Sequence, residues 1–154
     1  AQKAVAATRY PPKGIRGVSG SSRATKFGRV TDYMSKIDDE TTVILQIESA
    51  AAISQGVEIG SVDGVSGIFF GPSDIAADIG LLGQPMHEDV WKLIKPVAKK
   101  LISKGIPVGT LVLDTKFAAE LLNEGFSFVA CAVDSDLLAK ASDNALNNVK
   151  ENLS

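Results

Sequence analysis

Two acidic residues stand where carboxylates are costly. Glu48 closes the apolar run 42–48 (TVILQIE), and Asp74 closes the turn Gly71-Pro72-Ser73-Asp74, which follows the run 65–70 (VSGIFF). A bare carboxylate taken out of water is expensive unless it is paired or bound to a cation. Residues 41–90 hold seven acidic side chains (Glu48, Glu58, Asp63, Asp74, Asp78, Glu88, Asp89) and no Lys or Arg. Glu58, Asp63, Glu88 and Asp89 read as solvated charges on helices and loops. For Glu48 and Asp74 the chemistry is a hard divalent cation, with water or substrate oxygens completing the octahedron. Three bland alternatives stand beside it. Glu48 could pair at long range with Arg16, Arg23 or Arg29; Asp74 could be an N-cap; the two could form a general acid/base pair. The last leaves the Gly-Pro turn unexplained. Glycine lets backbone approach a ligand, proline stiffens the turn, and free amides at the start of the next helix favour a bound anion such as a carboxylate.

The elements that must position these groups alternate along the chain. Strands are expected at Gly14–Val18, Thr42–Ile47, Val65–Phe70, Ile106–Val112 and Ser127–Val133. Between them lie helical stripes: Val90, Trp91, Ile94, Val97, Ala98 and Leu101; then Phe117, Ala118, Leu121 and Leu122; then Leu137, Leu138, Ala141, Ala145, Leu146 and Val149. Pro96 should kink the first of these helices or mark a late start, and Gly125 fits a C-cap. Along Val43–Glu48 the side chains alternate, so Val43, Leu45 and Ile47 face helices while Ile44, Gln46 and Glu48 face the other way. Cys131, within FVACAV, reads as a small core residue, and Asp134 as a cap. Strands alternating with helices indicate a parallel α/β sheet. Unit spacings of roughly 20–40 residues resemble those of a (β/α)₈ barrel. The choice is an open doubly wound sheet, or the C-terminal strands 4–8 of a TIM barrel whose first ~95 residues are absent.

Composition narrows the function classes. The chain has 154 residues, formal net charge −2, 45% hydrophobic and 22% charged residues, values of one globular domain. The near-neutral charge gives no basic field for nucleic acid. The longest uncharged run, Gly64–Ser73, has ten residues, short of the ~20 apolar residues of a membrane helix. AQKAVAATRY lacks a signal-peptide apolar region, and a single cysteine suits a reducing compartment, so a cytoplasmic location is expected. Asn152-Leu153-Ser154 is a glycosylation triplet without a secretion signal to give it meaning.

Three stretches, ATRYPPKGIRGVSG (7–20), QIES (46–49) and GIFFGPSDIAADIG (67–80), resemble the signatures of the HpcH/HpaI aldolase family. These are metal-dependent class II pyruvate aldolases of the phosphoenolpyruvate/pyruvate barrel superfamily, among them 2-keto-3-deoxyglucarate and 4-hydroxy-2-oxoheptanedioate aldolases. The resemblance implies a single TIM-barrel domain of which residues 1–154 form the C-terminal portion. It implies a divalent cofactor (Mg²⁺, Mn²⁺ or Co²⁺) on Glu48 and Asp74. Substrate contacts are implied at Gln46, at the amides of Ser73 and Asp74, at Ser19, and at Leu111 in an apolar pocket. The implied reaction is retro-aldol cleavage of a 2-keto-4-hydroxy acid to pyruvate and an aldehyde, the ion acting as Lewis acid. Family members associate as homo-oligomers, commonly hexamers. The family's catalytic histidine and arginine lie on early strands, so no catalytic residue is identifiable here; His87 matches a non-catalytic position. The alternatives are an incomplete barrel remnant that binds a metal and a keto acid without turnover, or a related lyase of the superfamily.

Overall fold

The computed structural model describes residues 1–153. Its centre is a parallel sheet of four strands in the order β1-β2-β3-β4: β1 Ile44–Ile47, β2 Gly67–Phe70, β3 Val108–Leu111 and β4 Phe128–Ala130. The order follows the chain without reversal. A doubly wound sheet reverses strand order at a switch point; among the described strands no reversal occurs. Right-handed crossovers in an unreversed order place every connecting helix on one side. The burial pattern agrees. Ile47, Ile68, Phe70, Val108 and Thr110 are buried on the helix-covered side, whereas Ile44, Gln46 and Glu48 on the opposite face are exposed.

The helices are α1 Gln2–Thr8, α2 Tyr33–Glu40, α3 Ala50–Ser54, α4 Gly56–Gly60, α5 Pro72–Asp78, α6 Glu88–Ser103, α7 Thr115–Asn123 and α8 Asp134–Glu151. The α6 stripe supplies Val90, Trp91, Ile94, Ala98 and Leu101 to the buried core. Val90, Ile94 and Leu101 are fully buried, each contributing about 1.5–3 kcal/mol of burial free energy. Trp91 meets Phe117 of α7 edge-to-face at 4.7 Å and donates its indole N–H to the Pro85 carbonyl at 3.0 Å. His87 is the N-cap, its Nδ1 accepting the Asp89 N–H at 3.2 Å. Lys92 pairs with Glu88 and Asp89 one turn on, and its hydrogen bond holds the Asp89 carboxyl below the ordinary carboxylate value. The helix runs on through Pro96, which excludes the late start. At the end of α7, Gly125 takes φ +101° and its N–H reaches the Leu122 carbonyl, as a helix-terminating glycine does.

Three expectations need correction. Gly14–Val18 is not a strand, so there are four strands among the described residues rather than five. The amides of Gly14, Ile15 and Arg16 bond to the Tyr10, Ala6 and Arg9 carbonyls. The segment therefore spends its backbone groups on the end of α1 rather than on a ladder. Cys131 is exposed, because β4 ends at Ala130 and the chain turns outward into α8. The α8 stripe is not buried in this chain either: Leu137, Leu138, Leu146 and Val149 are all more than half exposed. Asp134 opens α8, its carboxylate accepting the Ser135 N–H at 2.8 Å. Of the triplet Asn152–Ser154, Ser154 lies outside the described residues.

Candidate functional site

The register aligns two rows of side chains on the sheet face away from the helices. Gln46, Phe69, Gly109 and Phe128 are successive partners across β1 to β4. Two residues further along every strand, on the same face, the register brings Glu48, Gly71, Leu111 and Ala130 level. This second row lies at the carboxyl edge of the sheet, where open and closed α/β sheets alike place their ligands.

Glu48 and Gly71 are in direct contact. A Cβ on Gly71 would stand 3.0 Å from Glu48 Cγ, 3.4 Å from Glu48 Oε1 and 3.4 Å from Gln46 Nε2. Its backbone, φ −101° and ψ 87°, is open to any residue, so what the glycine provides here is room for the Glu48 side chain. Beside it Gln46 Nε2 donates to Glu48 Oε1 at 2.8 Å, which orients the carboxylate and engages one of its two oxygens. Gly71 is also the N-cap of α5, with Pro72 at the first helical position and Asp74 in the first turn. Asp74 therefore sits one helical turn from the Glu48 contact. The first-turn amides of Ser73 and Asp74 have no intrahelical acceptor, and both side chains are exposed.

Neighbouring bonds hold both ends of this turn. The Gly71 N–H donates to the Ile47 carbonyl at 2.9 Å. Thr110, buried in the core layer, donates its hydroxyl to the Phe70 carbonyl at 3.0 Å, anchoring the last residue before the turn. Asp78, at the end of α5, accepts the Ala50 N–H at 2.9 Å, and the Ser49 hydroxyl accepts the Ala52 N–H at 3.2 Å. Both contacts fix the backbone immediately after Glu48. Neither Thr110 nor Asp78 stands out in the sequence: a threonine in an apolar strand reads as packing, and Asp78 as one more helix charge.

The charges sort into two kinds. Asp63 pairs with Arg9 at 3.2 Å, and Glu88 and Asp89 with Lys92. Among the described residues no basic side chain pairs with Glu48 or Asp74. The arginines weighed as partners are engaged elsewhere or exposed. Arg16 lies over the Tyr10 and Tyr33 rings at 4.9 and 5.9 Å and donates to the Tyr33 hydroxyl. Arg29 reaches the Lys26 carbonyl at 3.1 Å. Among the described residues no group of three or more His, Cys, Asp and Glu side chains converges. A cation at Glu48 and Asp74 would have two protein carboxylates and would draw its remaining donors from outside the chain. Such a set suits a hard, oxygen-loving divalent ion that keeps several waters.

The other expected residues divide. Leu111 is half-buried and lies in the same row as Glu48 and Gly71. Ser19 is exposed in the irregular segment between α1 and α2. The loop just after it is tied by buried Thr25, whose hydroxyl accepts the Ser22 and Gly28 N–H groups at 3.1 Å each. His87 serves as the cap of α6. No helix among the described residues is long and apolar enough to cross a membrane.

Comparison with known proteins places the chain. The profile of the HpcH/HpaI aldolase/citrate lyase family matches residues 1–141. A pyruvate aldolase of Rhizobium etli is 46% identical over 143 residues, covering 93% of this chain and 56% of that protein. A 4-hydroxy-2-oxo-heptane-1,7-dioate aldolase of Shigella flexneri is 42% identical, covering 93% of this chain and 54% of the relative. The chain thus spans about half the length of these curated relatives. Among solved structures, an HpcH/HpaI aldolase/citrate lyase family protein of Burkholderia cenocepacia J2315 superposes with a TM-score of 0.88 at 34% identity, over 95% of this chain and 58% of that one. With the sheet order and the carboxyl-edge row already established, these matches assign the fold and its lineage together: the chain belongs to the HpcH/HpaI aldolase/citrate lyase family.

Proposed function

We propose that residues 1–154 form the C-terminal portion of a single (β/α)₈ barrel domain and carry the metal- and keto-acid-binding half of a class II pyruvate aldolase. The reaction is cleavage of a 2-keto-4-hydroxy acid to pyruvate and an aldehyde. The observation that carries the reading is the Gln46–Glu48 pair seated against Gly71, one turn from Asp74, with no basic partner for either carboxylate. The unreversed parallel sheet with one uncovered face supports the barrel, because that face is the lumen side of a closed sheet. The aldolase names of relatives at 41–46% identity support the reaction class.

Glu48 and Asp74 hold the divalent ion, Mg²⁺, Mn²⁺ or Co²⁺. When bound, the ion supplies Lewis-acid polarisation of a 2-oxo carbonyl and electrostatic stabilisation of the negative charge that develops as C3–C4 breaks. Gln46 fixes one oxygen of Glu48 and leaves the other free to bind. The Ser73 and Asp74 amides offer donors to the substrate carboxylate. Leu111 excludes water beside the substrate's carbon chain, and Ser19 contacts substrate from its loop. The proton transfers are assigned to no residue of this chain. A homo-oligomer, a hexamer by family resemblance, is the expected state of the whole protein.

The test is pyruvate formation by the whole protein. EDTA should abolish it and Mg²⁺, Mn²⁺ or Co²⁺ restore it; Glu48→Gln with Asp74→Asn should prevent that restoration. Cleavage that survives EDTA, or the double substitution, overturns the site.

A further inference from the structure

Beneath the carboxylate row lies an aromatic pair. Phe69 of β2 and Phe128 of β4 stack with 6.0 Å between centroids and 26° between planes, although β3 runs between their strands. Strands two apart in a sheet are separated by about 9.5 Å, so rings in the same row meet only by leaning together across the middle strand. The middle residue of the row is Gly109. A Cβ built there would collide with Cε2, Cδ2 and Cζ along one edge of the Phe128 ring, far inside van der Waals contact. Gly109 does not have the positive φ of the chain's turn glycines. It is glycine for space, like Gly71 in the row above. The two rings form a continuous apolar floor, about 7 Å along the strands from Glu48, Gly71, Leu111 and Ala130.

We propose that Gly109 is a positioning residue that sets the depth of the substrate pocket, by letting Phe128 lie across β3 as the floor on which the carbon end of a small 2-oxo acid rests. The proposal deepens the aldolase reading and rests on it. Polar groups of this face gather at the β1 edge, where Gln46 and Glu48 stand. The remainder of both rows is Phe69, Leu111, Phe128, Ala130 and two glycines. A substrate whose oxygens are held at the polar end turns its C3 carbon toward aromatic and aliphatic surface. That surface offers no partner to a charged substituent on that carbon, and the floor limits how deep a bulky one can reach. The pocket therefore selects a donor with a short, apolar carbon end.

The test compares pyruvate and 2-oxobutanoate as donors in aldol addition by the whole Mn²⁺-loaded protein. Phe128→Ala should open the floor and raise the kcat/KM ratio of 2-oxobutanoate to pyruvate about tenfold, the scale of one methylene in an apolar pocket. Its Mn²⁺ affinity should hold. Gly109→Ala should displace the ring and raise KM for pyruvate by about tenfold, with a smaller change in kcat. Added to Phe128→Ala, it should have no further effect, because no ring remains to displace. Additive effects, or an unchanged donor ratio in Phe128→Ala, overturn the proposal; the second arm stands even where Gly109→Ala fails to fold. Absence of pyruvate turnover in the unsubstituted protein overturns the aldolase reading and the substrate role together. In that event, upfield ring-current shifts of the Gly109 α-protons still report the packing separately from the function.

Discussion

Gly71→Ala separates the site from the fold. The new methyl would stand 3.0 Å from Glu48 Cγ, where carbon–carbon contacts settle at about 3.5–4.0 Å. Glu48 must then shift by a few tenths of an ångström, which strains the 2.8 Å bond from Gln46. The fold itself should be nearly indifferent. The φ/ψ of Gly71 suits alanine, and the loss of unfolded-chain freedom returns about 0.4–1 kcal/mol, close to what one strained, solvent-facing hydrogen bond loses. The melting temperature should move by no more than about 4 °C. Mn²⁺ affinity should fall about 10–100-fold, the usual consequence of disturbing a group that orients a ligand. Thermal unfolding and calorimetric Mn²⁺ titration of the same preparation check the pair. Unchanged Mn²⁺ affinity in a variant that melts normally would refute the role given to the Gln46–Glu48 pair.

Two further substitutions probe the scaffold. Thr110→Val keeps the side-chain shape but leaves the Phe70 carbonyl without its hydroxyl donor, so denaturant unfolding should show a loss of about 1–3 kcal/mol. No loss would mean that the turn before Pro72 is held by the ladder alone. Pro96→Ala restores an N–H in the middle of α6 and relieves an interior proline worth about 3 kcal/mol at most; stability should rise, and a fall would show that the ring is needed by its packing.

Elements with a buried stripe were legible in the sequence. β1, β2, β3 and α6 each carry enough apolar residues at the right period for burial to decide their conformation, and the Trp91 stripe meets the sheet as its spacing requires. Gly14–Val18 was misread because a strand needs a neighbour to bond with, and propensity contains no information about neighbours. Cys131 was misread for a related reason: an apolar run at the last strand is buried only where something covers it. The acidic residues without local cations and the Gly-Pro turn single out Glu48 and Asp74 as candidates. What spacing could not reveal was support from a distance: the Thr110 hydroxyl on Phe70, the Asp78 carboxylate on Ala50, and the absent side chain of Gly71 beside Glu48. Each joins residues more than twenty positions apart, through a single atom or through none.

The unreversed strand order also governs how this chain reaches its structure. Ladder partners Gln46–Phe69, Phe69–Gly109 and Gly109–Phe128 are 23, 40 and 19 residues apart, and among the described strands each pairs only with the next along the chain. Loop closure grows costly only slowly with length, so no pairing in this sheet waits on a distant segment. β2 can dock on β1 before β3 has left the ribosome, and α6 can cover that pair before β4 exists. Assembly can thus advance with synthesis, unit upon unit, and Gln46, Glu48, Gly71 and Asp74 have all emerged well before Phe128.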